Sequence, residues 1–120
     1  MTDRRKATGR AGEEAAARFL SRKGLNILDR NWSSRLGELD LVAVDGDTLV
    51  FVEVRTTGGD RFGHGFQSVD LNKQRKVRRL AAQYLQMHRL HDRPVRFDVV
   101  SVRVDRNLEV LHVEHIPGAF

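Results

Sequence analysis

Two short runs of aliphatic and β-branched residues, joined by a turn around Gly46, constrain the fold of this chain more than any other feature. Residues 37–44 and 48–55 each have the composition of a β-strand. The Asp-Gly-Asp sequence between them is typical of a tight hairpin turn. The sequence therefore predicts an antiparallel hairpin at the centre of the fold.

The type of turn decides which acidic side chains face each other across this hairpin. If Gly46 is the first central residue of a two-residue type II′ turn, Asp40 lies directly opposite Glu53. If Asp45 and Gly46 are the central residues of a type I′ turn, Glu38 lies opposite Glu53 and Asp40 is diagonal to it. Like charges directly opposite each other destabilise a sheet, and a divalent metal ion between them is the natural compensation. Either register predicts carboxylates gathered on one face.

The remaining pattern predicts two helices and three more strands around the hairpin. Because a helix follows the third strand, the fourth strand can return parallel to it and form a mixed sheet. The sequence predicts an α/β fold of order αβββαββ, a mixed central β-sheet flanked by α-helices. The predicted elements are a helix over 10–23, strands over 25–31, 37–44 and 48–55, a Gly-rich loop over 56–69, a helix capped by Asp70 and ending near His88 or Leu90, and strands over 96–104 and 108–116.

The length of 120 residues fits one domain, which we place at residues 10–120 behind a flexible basic arm at residues 1–9. There is no cysteine, so disulfide and thiolate chemistry are excluded. No apolar run approaches the ~20 residues that span a bilayer, and no apolar segment follows the basic start as in a secretory signal. These features predict a cytoplasmic protein without a membrane partner.

A net charge of +5 favours a polyanionic partner, and nucleic acid is the commonest one. The first half of the second helix is rich in basic residues that can follow a phosphate backbone, although a solvated helix face has the same composition. The Gly-rich loop can approach the same partner or form a mobile turn. The predicted nucleic-acid-binding residues are Lys73, Arg75, Lys76 and Arg79 on the helix and Arg61 in the loop.

The histidines and the single tryptophan indicate no separate site. His88 and His91, like His112 and His115, lack a third ligand at metal-binding spacing, so we expect them on the surface. Trp32 is expected to pack in the core or at a strand edge rather than to stack on a base.

The hairpin carries Asp40, then twelve residues, then Glu53-Val54-Arg55. This pattern resembles the active site of the PD-(D/E)xK nuclease superfamily, which has the restriction-endonuclease-like fold. The chain also resembles the YraN-like family of uncharacterised proteins from about Gly9 to Val102. That family is similar in predicted fold to archaeal-type Holliday junction resolvases. The segments that carry the resemblance, in order, are Gly12-Glu13-Glu14-Ala15-Ala16, Arg30-Asn31-Trp32, Gly37-Glu38-Leu39-Asp40, Phe51-Val52-Glu53-Val54-Arg55 and Lys73.

The resemblance implies a Mg²⁺ or Mn²⁺ site. Asp40 and Glu53 would be metal ligands, with the main-chain carbonyl of Val54 as a further oxygen and Glu13 as a third acidic residue. Arg55 would be the fourth catalytic residue, at the position where the superfamily usually has lysine. Glu38 is either a solvated strand residue or a group just outside the site.

The resemblance implies a metal-dependent endonuclease acting on DNA, with branched DNA favoured. Cutting two opposed strands needs two active sites, which implies a homodimer. Arginine has no acceptor and stays protonated, so Arg55 can clamp a phosphate but cannot act as a base. Lys73 is a candidate replacement for the missing lysine, at a distance that the sequence does not give. Two alternatives remain: a non-catalytic nucleic-acid-binding or adaptor protein that keeps the fold, and a structural partner whose acidic groups form a salt-bridge network.

Overall fold

A computed structural model describes residues 4–58 and 69–120 and forms them into two helices and five strands. Their order, αβββαββ, confirms the predicted α/β class. In chain order the elements are α1 (Arg4–Arg22), β1 (Asn26–Ser34), β2 (Gly37–Asp45), β3 (Thr48–Gly58), α2 (Leu71–His88), β4 (Val95–Val104) and β5 (Val110–Ile116).

The strands form one sheet in the order β1-β2-β3-β4-β5, and every neighbouring pair is antiparallel except β3 with β4. The parallel pair is the one that α2 connects, so the predicted crossover and the mixed sheet are confirmed. Alternating strand residues pack on opposite faces of the sheet. Val52 and Val102 pack with Leu20 of α1 on one face, and Phe51 packs with Leu80 of α2 on the other.

The central hairpin adopts the type II′ register. Asp45 pairs with Thr48, and the paired register continues to Leu41 and Val52. Gly46 has a φ of +61°, whereas Asp47 is not among the residues with positive φ, as a type II′ turn requires. The type I′ alternative is therefore wrong, and Asp40 comes immediately before Leu41, the first residue of β2 that pairs with β3.

Helix α1 begins earlier than the sequence pattern predicted. Residues 4–9 of the predicted arm are helical, and the side chain of Arg4 donates a hydrogen bond to the carbonyl of Arg106 at 2.6 Å. Lys6, Ala7 and Ala11 are good helix formers, so helix propensity outweighs the interruption at Gly9.

Helix α2 begins and ends as predicted. The carboxylate of Asp70 accepts a hydrogen bond from the backbone N–H of Lys73 at 2.8 Å, which caps the helix. The left-handed residue Arg89 ends it. Of the predicted Gly-rich loop, residues 56–58 belong to β3, and residues 59–68, with Arg61, lie outside the described part of the chain. Among the described residues, no helix is long and apolar enough to cross a bilayer.

The aromatic prediction is confirmed, and one histidine prediction is wrong. Trp32 packs edge-on against Tyr84, with ring centroids 5.4 Å apart. His88, His91 and His112 are exposed as expected. The His115 side chain is only 2% exposed, because it packs against the buried carboxylate of Asp98.

Candidate metal centre

Asp40, which is half-buried, and Glu53, which is buried, form a pair of carboxyl groups where β2 and β3 separate. Glu53 is 6% exposed, and its carboxyl group is hydrogen-bonded to that of Asp40. Burial, followed by the hydrogen bond and charge repulsion from Glu53, raises the pKa of Asp40 to about 7. The backbone N–H of Val54 donates to Asp40 Oδ2 at 2.9 Å and opposes this rise. Asp40 therefore keeps its proton to a higher pH than an ordinary aspartate does.

Two more carboxylates approach Asp40 from the other side. Glu13 of α1 and Glu38 of β2 each place an oxygen within 4.8 Å of the other and of Asp40. The pKa of Glu13 is raised by burial and by the charges of Asp40 and Glu38. Asp40 therefore joins both groups into one acidic cluster, defined here as Glu13, Glu38, Asp40 and Glu53.

Asn31 of β1 holds two members of this cluster together. Its side-chain amide donates to Glu13 at 3.0 Å and to Glu38 at 2.9 Å. Asn31 has a φ of +52°, a conformation that asparagine adopts more readily than most residues. The sequence analysis missed this role of Asn31, although the residue belongs to the Arg30-Asn31-Trp32 segment that carries the resemblance. The sequence analysis also left Glu38 outside the predicted site.

Lys73 supplies a cation at the Asp40–Glu53 pair. Its Nζ lies 3.3 Å from Glu53 Oε2, and its side chain is 37% exposed, so the ammonium reaches the site from the solvent side of α2. The cap at Asp70 fixes the first turn of α2 and so the origin of this side chain. The distance between Lys73 and Glu53, which the sequence could not give, is therefore short enough for an ion pair.

Arg55 follows on the same strand and pairs in register with Ser101. Its Nε is buried and has no hydrogen-bond partner among the described residues. Within that part of the chain the structure pairs Glu53 with Lys73 and gives no ion pair between Arg55 and the acidic cluster.

The remaining basic residues predicted on α2 lie beside the site. Arg75, Lys76 and Arg79 are exposed and, with Leu36 and Asn72, line a groove of about 350 Å³. They form no ion pair within the described residues, and α2 itself carries no acidic residue. We call this surface the α2 groove. Its charge suits an anionic partner.

The chemistry of the acidic cluster fits a hard divalent cation. All of its side-chain donors are carboxylate oxygens, which Mg²⁺ and Mn²⁺ prefer. Four acidic groups here face one lysine, one asparagine amide and one backbone N–H, so negative charge is in excess. The carboxylate oxygens that lie within 4.8 Å of one another belong to Glu13, Glu38 and Asp40. The predicted ligand Glu53 contacts Asp40 and Lys73 instead, and the carbonyl of Val54 lies on the same strand as Glu53.

The relatives found by comparison with known proteins share one family name. A protein of Pelotomaculum thermopropionicum is 50% identical over 120 residues, and one of Moorella thermoacetica is 48% identical over 120 residues, with both chains fully covered in each case. A protein of Myxococcus xanthus is 50% identical over 116 residues, which are 97% of this chain and 90% of that one. All three are called UPF0102 proteins. Residues 12–102 match the uncharacterised protein family UPF0102, and the chain belongs to this family.

Proposed function

We propose that this protein is a metal-dependent endonuclease that hydrolyses phosphodiester bonds in DNA. The observation that carries the proposal is the pair of half-buried Asp40 and buried Glu53 with Lys73 beside it. A structural network would pair each buried carboxylate with a cation, because unpaired buried charge is costly. Here Asp40 and Glu53 face each other and have one lysine, Lys73, between them and the solvent, so negative charge is in excess, as in a site built to receive a further cation.

In this proposal Asp40, Glu53 and Glu13 hold a Mg²⁺ or Mn²⁺ ion. When bound, the ion polarises the phosphoryl group and lowers the pKa of a coordinated water. Asn31 keeps Glu13 and Glu38 oriented toward the site. The N–H of Val54 fixes Asp40.

Lys73 takes the place of the lysine that the Glu53-Val54-Arg55 motif lacks. Its ammonium orients Glu53 and neutralises negative charge that develops on the phosphate during hydrolysis. Arg55 has a donor without a partner among the described residues, and we assign it to binding a phosphate oxygen.

The α2 groove supplies the surface for DNA. Exposed, unpaired cations bind a phosphate backbone by releasing its counterions. The acidic cluster and this groove are linked by α2, because Lys73, which is paired with Glu53, stands three residues before Lys76 of the groove on the same helix. Branched DNA as the substrate and a homodimer as the active form remain predictions from the resolvase resemblance.

A cleavage assay tests the proposal. Purified protein is incubated with labelled single-stranded, duplex, flap and four-way-junction DNA in Mg²⁺, Mn²⁺ or EDTA. We expect cutting that needs the metal and is lost in Glu53→Gln. Asp47→Asn is the matched control, because Asp47 is an exposed acid on the same hairpin.

Two results contradict the nuclease. Cutting that persists in Glu53→Gln would come from a contaminant or another site. Binding of DNA without cutting in either metal would support the adaptor alternative, with Arg55 in place of lysine as its cause.

A further inference from the structure

Two arginines on neighbouring strands lack an acceptor among the described residues. Arg55 of β3 and Arg103 of β4 are both half-buried, and the Nε of each is buried without a hydrogen-bond partner in that part of the chain. Neither arginine takes part in an ion pair there. Buried donors without an acceptor lower the stability of a fold. Stability therefore does not explain why these two arginines are half-buried.

The strand register places both arginines on the face of the sheet that α2 covers. Phe51 and Phe97 pair in register between β3 and β4 and pack in the cluster formed with α2. Because side chains alternate along a strand, Arg55 lies on the same face as Phe51, and Arg103 lies on the same face as Phe97. Val102, which precedes Arg103, packs on the opposite face, as this alternation requires.

Two hydroxyl side chains accompany the arginines on this face. Arg55 pairs in register with Ser101, and Thr57 pairs in register with Arg103. From the spacing of neighbouring strands and of alternate residues, the Cα atoms of Arg55 and Arg103 are roughly 8 Å apart. Two arginine side chains can reach a common ligand across that distance. We call these four residues, Arg55, Thr57, Ser101 and Arg103, the arginine patch.

The arginine patch carries excess positive charge. Glu53 lies two residues before Arg55 on the same face, but Lys73 already pairs with it. Glu114 of β5 also lies on this face, and no ion pair within residues 4–58 and 69–120 joins it to Arg103. Two guanidinium groups thus stand against one carboxylate outside any ion pair. An anion is the ligand that this patch favours.

We propose that the arginine patch binds a phosphate group, whose oxygens accept from the Nε–H groups of Arg55 and Arg103. Guanidinium groups bind phosphate through paired N–H donors, and hydroxyl groups can add single hydrogen bonds. The identity of this phosphate as part of DNA rests on the proposed function. It would be a backbone phosphate beside the acidic cluster, because Arg55 follows Glu53 by two residues on the same face. Arg103, which the sequence analysis did not select, is then a substrate-binding residue.

The Nε–H groups allow a test that does not depend on cleavage. Their signals are recorded by ¹H–¹⁵N NMR of the metal-free protein in EDTA and are assigned with Arg55→Lys and Arg103→Lys. Three ligands are titrated: inorganic phosphate, thymidine 5′-monophosphate and a short DNA strand without a terminal phosphate. Arg93 is the internal control, because it is exposed and precedes the opposite end of β4.

We expect the signals of Arg55 and Arg103 to shift together with one Kd, while the signal of Arg93 shifts much less. Arg103→Gln should raise that Kd by about tenfold or more, since it removes charged donors. Arg93→Gln should leave it unchanged. The Tm of ligand-free Arg103→Gln should not fall, because the arginine has no partner among the described residues.

The three ligands separate the sources of the phosphate. The lowest Kd for the DNA strand assigns the patch to the nucleic-acid backbone. The lowest Kd for inorganic phosphate or for the monophosphate keeps the phosphate site and overturns its assignment to DNA.

Signals that stay in place with all three ligands, or that shift no more than that of Arg93, overturn the arginine patch. A fall in the Tm of ligand-free Arg103→Gln also overturns it, because Arg103 would then stabilise the fold. Cleavage by the unchanged protein, measured in parallel, distinguishes this proposal from the nuclease. Cutting without a response of the arginine signals leaves the nuclease and removes the patch, whereas phosphate binding without any cutting leaves the patch and removes the nuclease.

Discussion

Two aspartates are withdrawn from solvent on neighbouring parts of the sheet, and their surroundings are opposite. Asp98 of β4 is fully buried and accepts two hydrogen bonds from Arg96, at 2.9 and 3.0 Å, and one from the backbone of Gly118 at 3.0 Å. His115 lies 2.8 Å from it. Asp40 faces acidic side chains instead.

Because of this difference, the pKa values of Asp98 and Asp40 shift in opposite directions. Burial alone would raise the pKa of Asp98, but the hydrogen bonds from Arg96, Gly118 and His115 lower it below the ordinary value. At Asp40 burial and the neighbouring Glu53 act in the same direction, and the pKa rises to about 7. Burial of a carboxyl group does not by itself mark a site; the charge of its partners does.

The network around Asp98 has a defined proton arrangement. Lys23 Nζ lies 2.8 Å from His115 Nδ1, and an ammonium group can only donate. Nδ1 therefore accepts, and Nε2–H donates to Asp98. Every strong acceptor there has a donor, as a structural site requires.

Asp98→Ala should show the largest effect. It leaves His115 without its acceptor and Arg96 with Asp45 alone, and breaking a buried charge pair from one side costs about 3–5 kcal/mol. Urea unfolding measures the loss, with Asp47→Asn expected within about 0.5 kcal/mol of the unchanged protein. A loss of unfolding free energy below about 1 kcal/mol would mean that the hydrogen bonds of Asp98 do not stabilise the fold.

Asp40→Asn should lower the cleavage rate by about 10²–10³-fold and leave the fold intact. This is the opposite of Asp98→Ala, which acts on stability. An asparagine can still accept from the N–H of Val54 and can donate to Glu53. Initial rates on the preferred DNA and the urea midpoint are measured on the same preparation. A clear drop in the midpoint would support the salt-bridge alternative for the acidic cluster.

The stability of the metal-free protein should decrease as the pH rises. The Asp40 pKa is about 7 in the folded state against its ordinary value of 3.8, so the folded state binds the extra proton between them. In EDTA we expect the Tm to fall by a few degrees between about pH 5 and about pH 8, and this fall to be smaller in Asp40→Asn. The contribution of Asp98 is lost only in more acidic solution, because its pKa is lowered. An identical dependence of Tm on pH in both proteins would mean that Asp40 is not the group whose pKa is raised.

Lys73→Gln should reduce cleavage by about tenfold, or ~1.4 kcal/mol of barrier. The ammonium is removed from Glu53 while the carboxylates stay. Lys76→Gln is the control, since Lys76 lies on the same helix in the α2 groove. Equal kcat values for the two variants would assign Lys73 to DNA binding alone.

The smallest effects are expected in the α2 groove. Gln in place of Arg75, Lys76 or Arg79 should each lower the salt slope of duplex binding by about 0.9 and leave kcat unchanged. Anisotropy against salt gives the slope. A slope that does not move would mean that the duplex lies on another surface.

Local patterns predicted the hairpin and what it brings together. The turn residues around Gly46 left two registers open, and either one gathered carboxylates on one face. The structure adopts the register that brings Asp40 beside Glu53. Asp70 likewise marked the start of α2, because a cap acts within three residues. These features depend on neighbours in the sequence, which is why they could be derived from it.

Contacts between distant segments could not be derived in the same way. The Asn31 bridge to Glu13 joins residues 18 apart, and its backbone conformation leaves no mark on the hydrophobic pattern. His115 was predicted on the surface because nothing near it in sequence shows that Asp98 and Lys23 meet its ring. The Lys73–Glu53 distance depends on how α2 packs across the sheet.

The most direct test of the central claim is calorimetric titration of Mn²⁺ into the unchanged protein, Asp40→Asn and the control Asp47→Asn. The acidic cluster as a cation site predicts binding to the unchanged protein and to Asp47→Asn, and loss of binding in Asp40→Asn. Binding that is equal in all three, or absent from the unchanged protein, would contradict the account.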